Sequence, residues 1–569
     1  MLAEKAGHFF IGVCSLRLYA IVLVVFAAAL ARPDLVRSAV VTLRTWLEPL
    51  VRRPRLAGAL IVLLPLLIRI ALLSRWPIPE PKIPDEFSYL YAADTFAEGR
   101  LANPTHSHWP FFETVYVLSQ PVTASKYPPV QGAVLAAGQV LLGHPWFGVW
   151  LSCGVMTAAI YWLFLAWLPR LWACAGALWF GMHTGLLTGW MNSYWGGAAA
   201  AAAGAILFGC YTRLRKRPTA ALGALFGVAW VVLANSRPYE GALVLGLPLA
   251  LLLLRQGLPR PALWGAFATL ALGACGSLLY NHAITGHSLK LPYALHDEQY
   301  AFVGPFWMQP LKPKPSYRQS VMAHTFEHDE LRYRELSQWA GWQRRAGQWR
   351  LTLESFGPLP VVVPGCVAWL LLCRTRRYRV PAFLLILGFF FLNLTVFHFP
   401  HYAAPFAGIM GLFIVFGWRM LAQVSLENSR LAHAALTALI AYAGLSVALS
   451  LRASVQPPSQ YPITHFRHVI QEHLDEDFDQ HLIFVTHPRE PVGINPDWVY
   501  NKARIDDAKT VWAADFGDEE NQKLLRYYPT RTAWRLHLDD RTLTLQPYRV
   551  KPGQVPLRFI APGRRIDEK

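Results

Sequence analysis

The stretch "AGALIVLLPLLIRIALLSRWPIPEPKIPDEF" (57–87) joins a long apolar run to two adjacent carboxylates, Asp85 and Glu86. A run of about 20 apolar residues crosses the hydrocarbon core of a bilayer as a helix. Carboxylates so near the lipid are costly unless they face water, a partner or a substrate. The stretch therefore predicts a membrane span with an acidic pair beyond one end, and it raises the question of what the pair does.

Composition places the whole chain in the membrane class. Of its 569 residues, 54% are hydrophobic and only 15% are charged, whereas soluble domains carry about 25% charged residues. The net charge of +18 comes largely from short basic clusters between apolar runs. That pattern is typical of topology signals rather than of a nucleic-acid surface, so nucleic acid is not an expected partner.

The cysteines indicate neither a disulfide framework nor a zinc site. All seven lie inside apolar runs, as expected for small core residues. They are Cys14, Cys153, Cys174, Cys210, Cys275, Cys366 and Cys373. The first apolar run, roughly 9–31, is too long for the core of a signal peptide, so we expect an added membrane anchor.

About twelve apolar runs are long enough, or nearly so, to cross the bilayer as helices. We therefore predict an all-α polytopic membrane protein with about 12 transmembrane helices. The predicted spans are approximately 9–31, 57–76, 146–168, 171–190, 195–212, 219–235, 240–254, 262–281, 357–373, 380–398, 403–422 and 431–451.

Lysine and arginine in the short loops predict the orientation, because cytoplasmic loops carry an excess of both. Four basic loops alternate correctly as cytoplasmic: 32–55, 213–217, 255–261 and 374–379. Four polar segments then lie on the opposite side: 77–145, 191–197, 235–241 and 282–356. The C-terminal tail joins them there.

These patterns divide the chain into three predicted parts. Residues 1–56 form an N-terminal extension with one transmembrane helix and a cytoplasmic linker. Residues 57–451 form the transmembrane domain, with large outer loops at 77–145 and 282–356. Residues 452–569 alternate strand-like runs with the helical "DEENQKLLRYY" (518–528), which predicts a small α/β domain outside the membrane.

The pair Asp85–Glu86 has two interpretations that spacing alone does not separate. A carboxylate at the mouth of a membrane cavity can act as general base on an acceptor hydroxyl or amine. Asp and Glu also suit the first turn of a helix, and "EFSYLYAADTFAEG" (86–99) has a helical pattern.

Two basic residues on the same predicted side suggest anion binding. Lys126 in "ASKYPPVQG" (124–132) precedes two prolines that would end one segment before a new helix begins. Its ammonium would either bind a lipid phosphate or reach for the headgroups. Arg237 in "NSRPYEGAL" (235–243) lies on the predicted non-cytoplasmic side, where basic residues are less frequent. It would either bind a phosphate or pair with Glu240 or Asp85.

A histidine-containing motif marks another outer end. "FHFPHYAAPF" (397–406) places His398 and His401 before a late span, where a histidine is more often structural than catalytic. Together with the motifs above, it suggests a set of substrate-pocket residues. These are Tyr89, Tyr127, Glu240, His401 and Tyr402.

Four motifs form an ordered pattern along the chain. They are "DE" after the first core span, "SKYPPVQG" with "GQVLLG" at the end of the first large loop, "SRPYEG", and "HYAAP" before a late span. The pattern resembles the C-type-fold (GT-C) membrane glycosyltransferases, specifically the bacterial branch near aminoarabinose transferase and the protein O-mannosyltransferases (PMT family). The likeness covers roughly 57–420, and neither the N-terminal extension nor the tail matches clearly.

The resemblance implies a function and a set of roles. The donor would be a polyprenyl-phosphate-linked sugar, transferred with inversion to a periplasmic lipid, polysaccharide or protein at the outer face of the cytoplasmic (inner) membrane. Asp85 matches the family's catalytic carboxylate and Glu86 its companion. Lys126 matches the lysine that contacts the lipid phosphate. Arg237 matches a second basic group there, although the family often has Lys-Gly at this place.

Three other functions are weighed against this one. "HTFEH" (324–328) fits the H-x-x-E-H pattern, with His324 and His328 as zinc ligands and Glu327 as the base of a hydrolase. A transporter or flippase of lipid-linked sugars predicts internal symmetry, and no repeat is visible. A non-enzymatic assembly protein predicts that Asp85→Asn changes nothing. No cofactor is assigned, and a divalent metal ion stays open.

Overall fold

The computed structural model describes most of the chain. The described residues are 18–338, 341–426, 429–456, 463–476, 478–487, 498–538, 542–548 and 557–560. Cys14 and positions 9–17 of the predicted anchor lie outside them, as do parts of the predicted C-terminal domain.

Helices dominate the described residues, which contain α-helices α1 to α20. In chain order these are Leu18–Ala31, Pro33–Val51, Pro54–Ala71, Pro84–Ala97, Pro129–Leu142, Trp146–Phe164, Arg170–Trp179, Ala198–Leu214, Ala220–Ala234, Leu247–Arg255, Arg260–Thr285, Pro292–Gln299, Ser320–Ser337, Gly341–Glu354, Leu359–Leu372, Arg379–Leu392, Ala407–Leu426, Arg430–Ser454, Ile463–Asp475 and Asp518–Tyr527. Two π-helical segments, Phe180–Leu187 and Pro238–Gly246, continue α7 and precede α10. Short 3₁₀ helices occupy Trp109–Phe112 and Pro400–Phe406.

Several of these helices are long and apolar enough to cross a bilayer. Within the described residues they are Pro54–Ala71, Trp146–Phe164, Pro238–Arg255, Arg260–Thr285, Pro400–Ser425 and Arg430–Ser454. Helices α14 and α15 pass the same test as a pair that is bent by 100°. The chain is a multi-pass membrane protein, as predicted, and the number of crossings stays a prediction.

Each predicted span overlaps a helix, but several predicted ends are not helical, among them 72–76, 188–190 and 393–398. One further apolar helix, α5, lies inside the segment 77–145 that was predicted to be an outer loop. It begins at Pro129, after Pro128 at its N-cap, and ends at Gly143 with a left-handed φ of 79°. The two prolines therefore start a helix, as their position predicts.

Small residues bring the membrane helices into close contact. The alanines of α8 are largely buried, and a Cβ added at Gly204 would lie 2.0 Å from the carbonyl oxygen of Pro405. Such small-residue stretches let backbones approach each other in membranes. Here the close approach places the 3₁₀ helix Pro400–Phe406, which carries His401 and Tyr402, in direct contact with α8.

The segment between α3 and α6, which the sequence predicts to lie outside the cytoplasm and which we call the outer segment, combines helices with a small sheet. Strands β1 (Asn103–Pro104), β2 (Val117–Leu118) and β3 (Val122–Ser125) lie in the order β1-β3-β2, all antiparallel. The hydroxyl of Ser88 on α4 donates to the carbonyl of Tyr116 at 2.7 Å and lies 2.8 Å from the Ser125 hydroxyl. These contacts hold the sheet, and the Lys126 that follows it, against α4.

The C-terminal region forms a five-stranded mixed sheet. Strands β4 (His481–Thr486), β5 (Thr510–Ala514), β6 (Thr532–Leu538), β7 (Thr542–Pro547) and β8 (Leu557–Ile560) lie in the order β5-β4-β6-β7-β8. Strand β4 runs parallel to β5 and β6, and the remaining pairs are antiparallel. The buried residues of the sheet pack against α19 and α20.

This C-terminal unit contacts the outer segment of the membrane part. The ring of Tyr500 stacks on Phe87 of α4 at 4.3 Å, and its phenol donates to the carbonyl of Val115 at 2.9 Å. The backbone N–H of Ala503 donates to Asp94 at 2.6 Å. The C-terminal unit therefore supports α4, the helix that begins at the acidic pair.

Candidate active site

Helix α4 begins at the predicted acidic pair. Ile83 is its N-cap, and Pro84 takes the first helical position, where its missing N–H is not needed. The carboxylate of Glu86 reaches back and accepts hydrogen bonds from the backbone N–H groups of Lys82 at 2.7 Å and Ile83 at 3.3 Å. The pair therefore does start a helix, and this start fixes the backbone that carries Asp85.

Glu86 also ties a distant loop to α4. Its second oxygen accepts a 2.9 Å hydrogen bond from the backbone N–H of Tyr194, whose phenol donates to the carbonyl of Pro79 at 2.8 Å. The side chain is only 3% exposed. Burial raises the pKa of Glu86, and the three backbone donors partly oppose this rise. Both oxygens of Glu86 are thus engaged in holding the backbone.

A buried arginine shapes the approach to this helix. Arg69, near the end of α3, is fully buried. Its guanidinium donates to the carbonyls of Trp76 at 2.6 Å and Pro77 at 2.8 Å, and to the Asn192 side chain at 3.2 Å. These bonds fix the turn that leads from the span toward Asp85.

Asp85 is half-buried and is held by one neighbouring phenol. The hydroxyl of Tyr127 donates to Oδ1 of Asp85 at 2.5 Å. The ring of Tyr127 stacks on Tyr89 at 4.4 Å, and its carbonyl accepts from the hydroxyl of Tyr280 at 3.0 Å. No described residue donates a hydrogen bond to the other oxygen of Asp85, so this oxygen is available to a substrate.

Lys126 lies in an aromatic cage. Its ammonium is 3.6 Å from the centre of the Tyr116 ring, 4.7 Å from that of Tyr293 and 5.4 Å from that of Tyr127. The residue is 6% exposed, and burial lowers its pKa. Within the described part of the chain, no side chain forms an ion pair or hydrogen bond with this ammonium. Ring faces attract a cation without using its hydrogen-bond donors.

Tyr116 supports the cage from a strained backbone. Its φ is 65°, in the left-handed region that is costly for a bulky side chain. The carbonyl of Tyr116 accepts from the Lys126 backbone N–H at 3.1 Å and from the Ser88 hydroxyl at 2.7 Å. These bonds hold the strained residue with its ring beneath the ammonium.

Three carboxylates surround Lys126 at longer range. Asp85, Asp297 of α12 and Asp329 of α13 are close enough for their charges to oppose the lowering of its pKa. Asp329 is itself buried, and burial raises its pKa to about 7. His296, completely buried beside them, has its pKa lowered to about 4, mainly by burial and next by Lys126. The surroundings of Lys126 thus contain titratable groups that the motifs did not predict.

Arg237 approaches from a different part of the membrane domain. Arg237 immediately precedes the π-helical segment Pro238–Gly246. Its guanidinium lies 4.5 Å from the centre of the Tyr402 ring. The buried Glu240 is close enough for the two charges to interact. His401 is buried as well, with its ring 4.9 Å from that of Tyr402. Four predicted residues therefore meet at this place.

Tyrosines connect the two charged regions. Tyr89 and Tyr402 each lie close enough to both Asp85 and Arg237 to interact electrostatically with their charges. Since Lys126 is also near Asp85, the three charged residues belong to one group. We call it the Asp85 cluster. It comprises Asp85, Lys126, Arg237, Tyr89, Tyr116, Tyr127, Tyr293 and Tyr402.

Sequence reasoning missed several members of these surroundings. Tyr293 and Asp297 lie in "LPYALHDEQY" (291–300), and Asp329 follows the "HTFEH" motif. In the segment 282–356, the sequence had suggested functional residues only within the HTFEH motif (324–328). The polar residues of this segment reach Lys126 only through the packing of α12 and α13, which no local pattern reveals.

The "HTFEH" motif does lie on a helix, α13. The carboxylate of Glu327 there pairs with Lys314. Among the residues that the structure describes, no group of three or more His, Cys, Asp and Glu side chains is placed to hold a metal ion. His324 and His328 therefore find no third ligand in that part of the chain.

Solved membrane-protein structures are similar to this chain over most of its length. ArnT from Cupriavidus metallidurans bound to undecaprenyl phosphate matches 85% of this chain and 93% of its own, with 14% identity and a TM-score of 0.49. The apo oligosaccharyltransferase of Archaeoglobus fulgidus matches 75% and 62%, with 10% identity and a TM-score of 0.39. AglB from the same organism, in complex with an inhibitory peptide and a dolichol-phosphate, matches 84% and 69%, with 11% identity and a TM-score of 0.41.

Other comparisons give no match. Neither a protein-family model nor a curated protein sequence matches the chain. The resemblance predicted from the sequence motifs is confirmed to this extent: ArnT and an oligosaccharyltransferase are among the proteins whose structures are similar to it.

Proposed function

We propose that the chain is a membrane glycosyltransferase that moves a sugar from a polyprenyl-phosphate-linked donor to an acceptor, with inversion at the anomeric carbon. One observation carries the proposal: Asp85 and Lys126, which both contact Tyr127, lie in one cluster with Arg237, which comes from a later part of the chain and contacts Tyr402. A proton acceptor and two cations are needed together when a single substrate presents both an anionic leaving group and a reacting carbon. The motifs around the same residues support it.

The two cations would hold the donor phosphate. The ammonium of Lys126 is buried among aromatic rings and forms no ion pair with a described residue. A phosphate oxygen would satisfy its donors. Arg237 would add a planar guanidinium, which suits bidentate binding of phosphate. Fixed cations at this place stabilise the charge that develops on the leaving phosphate.

Asp85 would act as the general base. The acceptor hydroxyl or amine attacks the anomeric carbon, the bond from that carbon to the phosphate oxygen breaks, and polyprenyl phosphate leaves with the electron pair. Asp85 takes the proton that the acceptor loses. The Tyr127 hydroxyl holds one oxygen of Asp85 at 2.5 Å, so the other oxygen is oriented toward the proton. A single displacement of this kind inverts the anomeric carbon.

Glu86 would be a positioning residue. Its oxygens accept three backbone hydrogen bonds that join the start of α4 to Tyr194, so it supports Asp85 through the backbone. His401 and Glu240 lie beside Arg237 and Tyr402. We propose that they set the position of Arg237, and that Tyr89 and Tyr402 border the sugar.

The chemistry is proposed for the outer face of the inner membrane, with a periplasmic acceptor. The basic loops predicted to be cytoplasmic support this orientation. A lipid, a polysaccharide and a protein all remain as acceptor classes. The proposed division of the chain is 1–56, 57–451 and 452–569, with the last part supporting α4 from outside.

The test is complementation of a deletion strain, with lipid-linked sugars measured by mass spectrometry. The unused donor should accumulate in the deletion strain and disappear when the wild-type chain is supplied. Asp85→Asn should leave the donor high while the protein reaches the membrane in normal amount. Complementation by Asp85→Asn would refute the assignment of the base.

Glu327→Gln is the matched control. The glycosyltransferase proposal expects this variant to complement fully, because Glu327 pairs with Lys314 away from the Asp85 cluster. If the protein were a zinc hydrolase, Glu327→Gln would not complement the deletion strain. If the protein transported lipid-linked sugars, the donor would accumulate on one face of the membrane only in the deletion strain. A face-specific assay of the donor therefore separates transport from sugar transfer.

A further inference from the structure

A large cavity lies at the other end of the membrane helices from Asp85. It encloses about 1020 Å³ and lies between α2, α7, α17 and α18. We call it the α2–α18 groove, and its apolar walls include Leu47, Trp172, Ala422, Ile440 and Gly444. Sites for drug-sized ligands commonly hold about 300–1,000 Å³, so this groove is large enough for a lipid.

The groove is separate from the Asp85 cluster. Arg52, which lines it, lies two residues before the start of α3 at Pro54, whereas Asp85 comes after the other end of this 18-residue helix. An α-helix of this length spans about 27 Å at 1.5 Å per residue. A ligand in the groove would therefore lie on the opposite side of the membrane, and its existence does not depend on the proposed transfer reaction.

Cationic side chains line the groove together with these apolar walls. Arg52, Arg170 and Arg419 contribute guanidinium groups, against a single carboxylate, Glu48. Glu48 is paired with Arg52 at 2.8 Å, and Arg170 donates to the Arg52 carbonyl at 3.4 Å. Within the described residues, neither Arg170 nor Arg419 has a carboxylate partner. The groove thus combines apolar walls with uncompensated positive charge.

We propose that the α2–α18 groove binds an anionic membrane phospholipid, with its acyl chains along the apolar walls and its phosphate on Arg170 and Arg419. Basic pockets between transmembrane helices on the cytoplasmic side suit anionic headgroups. A zwitterionic lipid would fill the same apolar space, but it would gain less from the two arginines. The lipid would join the N-terminal helix α2 to the last span, α18, because both line the groove.

The test uses the full chain in nanodiscs that contain equal amounts of phosphatidylglycerol and phosphatidylcholine with identical acyl chains. After mild extraction, native mass spectrometry counts the retained lipids. The wild-type chain should retain phosphatidylglycerol in preference. Arg170→Gln and Arg419→Gln should each reduce that preference about fivefold, which corresponds to about 1 kcal/mol per arginine near the surface. Arg217→Gln and Arg260→Gln, both exposed and outside the groove, are the matched controls.

A steric variant tests the apolar part. Gly444 lines the groove, and a Cβ there would meet no atom within 4 Å. Gly444→Trp should therefore fill the space and reduce retention of both lipids, whereas Gly444→Ala should not. Equal retention of the two lipids by the wild type, an equal effect of the control arginines, or unchanged lipid retention by Gly444→Trp would each overturn the proposal.

Discussion

The phenol of Tyr127 donates a 2.5 Å hydrogen bond to Asp85, although Asp85 starts α4 and Tyr127 precedes α5. The same tyrosine follows Lys126 directly in the chain. One short segment therefore both orients the proposed base and carries the proposed phosphate ligand. A substitution of Lys126 or Tyr127 is therefore expected to alter the position of the other side chain.

Replacement of Tyr127 by Phe should slow transfer without weakening donor binding. The variant keeps the ring that stacks on Tyr89 but loses the bond that orients Asp85. Hydrogen bonds to charged groups contribute about 1.5–3 kcal/mol, so kcat should fall by at least about tenfold. Initial rates in membranes measure this effect. Tyr333→Phe, which loses a bond to the Gln309 carbonyl and none to Asp85, should retain its rate, and an unaffected Tyr127→Phe would contradict the role.

Replacement of Lys126 by Met should chiefly weaken binding of the lipid phosphate. Methionine keeps much of the apolar stem inside the ring of tyrosines but removes the charge. Because truncating one partner of a buried charge pair commonly costs about 2–5 kcal/mol, the dissociation constant for polyprenyl phosphate should rise at least about thirtyfold. Binding titrations of the purified protein would measure it. Lys312→Met, an exposed lysine, serves as the comparison, and equal affinities for all three proteins would exclude the phosphate role.

Glu86 should matter more for stability than for proton transfer. Glu86→Ala leaves three backbone N–H groups without their acceptor. An unsatisfied buried group costs about 1–3 kcal/mol, so the midpoint of thermal unfolding should fall. Glu86→Gln keeps an acceptor oxygen and should retain most of both stability and activity. If Glu86→Gln were as inactive as Asp85→Asn at an unchanged midpoint, Glu86 would have a direct chemical role.

Asp329 should make the folded state less stable as the pH rises toward 7. Burial raises its pKa from 3.8 to about 7, so the folded state binds a proton that the unfolded state releases. The stabilisation of the folded state by the protonated Asp329 carboxyl is therefore fully present below about pH 4 and is lost as the pH rises through 7. The slope is at most about 1.4 kcal/mol per pH unit for one group.

Thermal midpoints between pH 4 and 8 test this expectation with Asp329→Asn. The variant cannot titrate at this position, so its stability should depend less steeply on pH than that of the wild type. Asp507→Asn, at an exposed position in the C-terminal unit, should leave the slope as it is. Identical slopes for the wild type and Asp329→Asn would show that Asp329 is ionised over the whole range.

Local sequence was enough to predict the elements that depend on nearest neighbours. Apolar runs predicted helices where the residues are described, because lipid requires every backbone polar group to be satisfied within the segment. Pro128–Pro129 marked a helix start, because the fixed φ and missing N–H of proline suit the first turn. A helix start was one of two interpretations of the acidic pair, because Asp and Glu suit the first turn, and Glu86 has that role.

Only the tertiary structure decided which side chains meet. Lys126 gains Tyr293, Asp297 and Asp329 as neighbours because α12 and α13 pack back onto the first outer segment. Burial then raises the pKa of Asp329, an effect that depends on surrounding atoms rather than on adjacent residues. The groove beside α2 likewise exists only because the first helices rest against the last span. Contacts between residues hundreds of positions apart have no local signature, so the sequence determined the helices and the packing determined the sites.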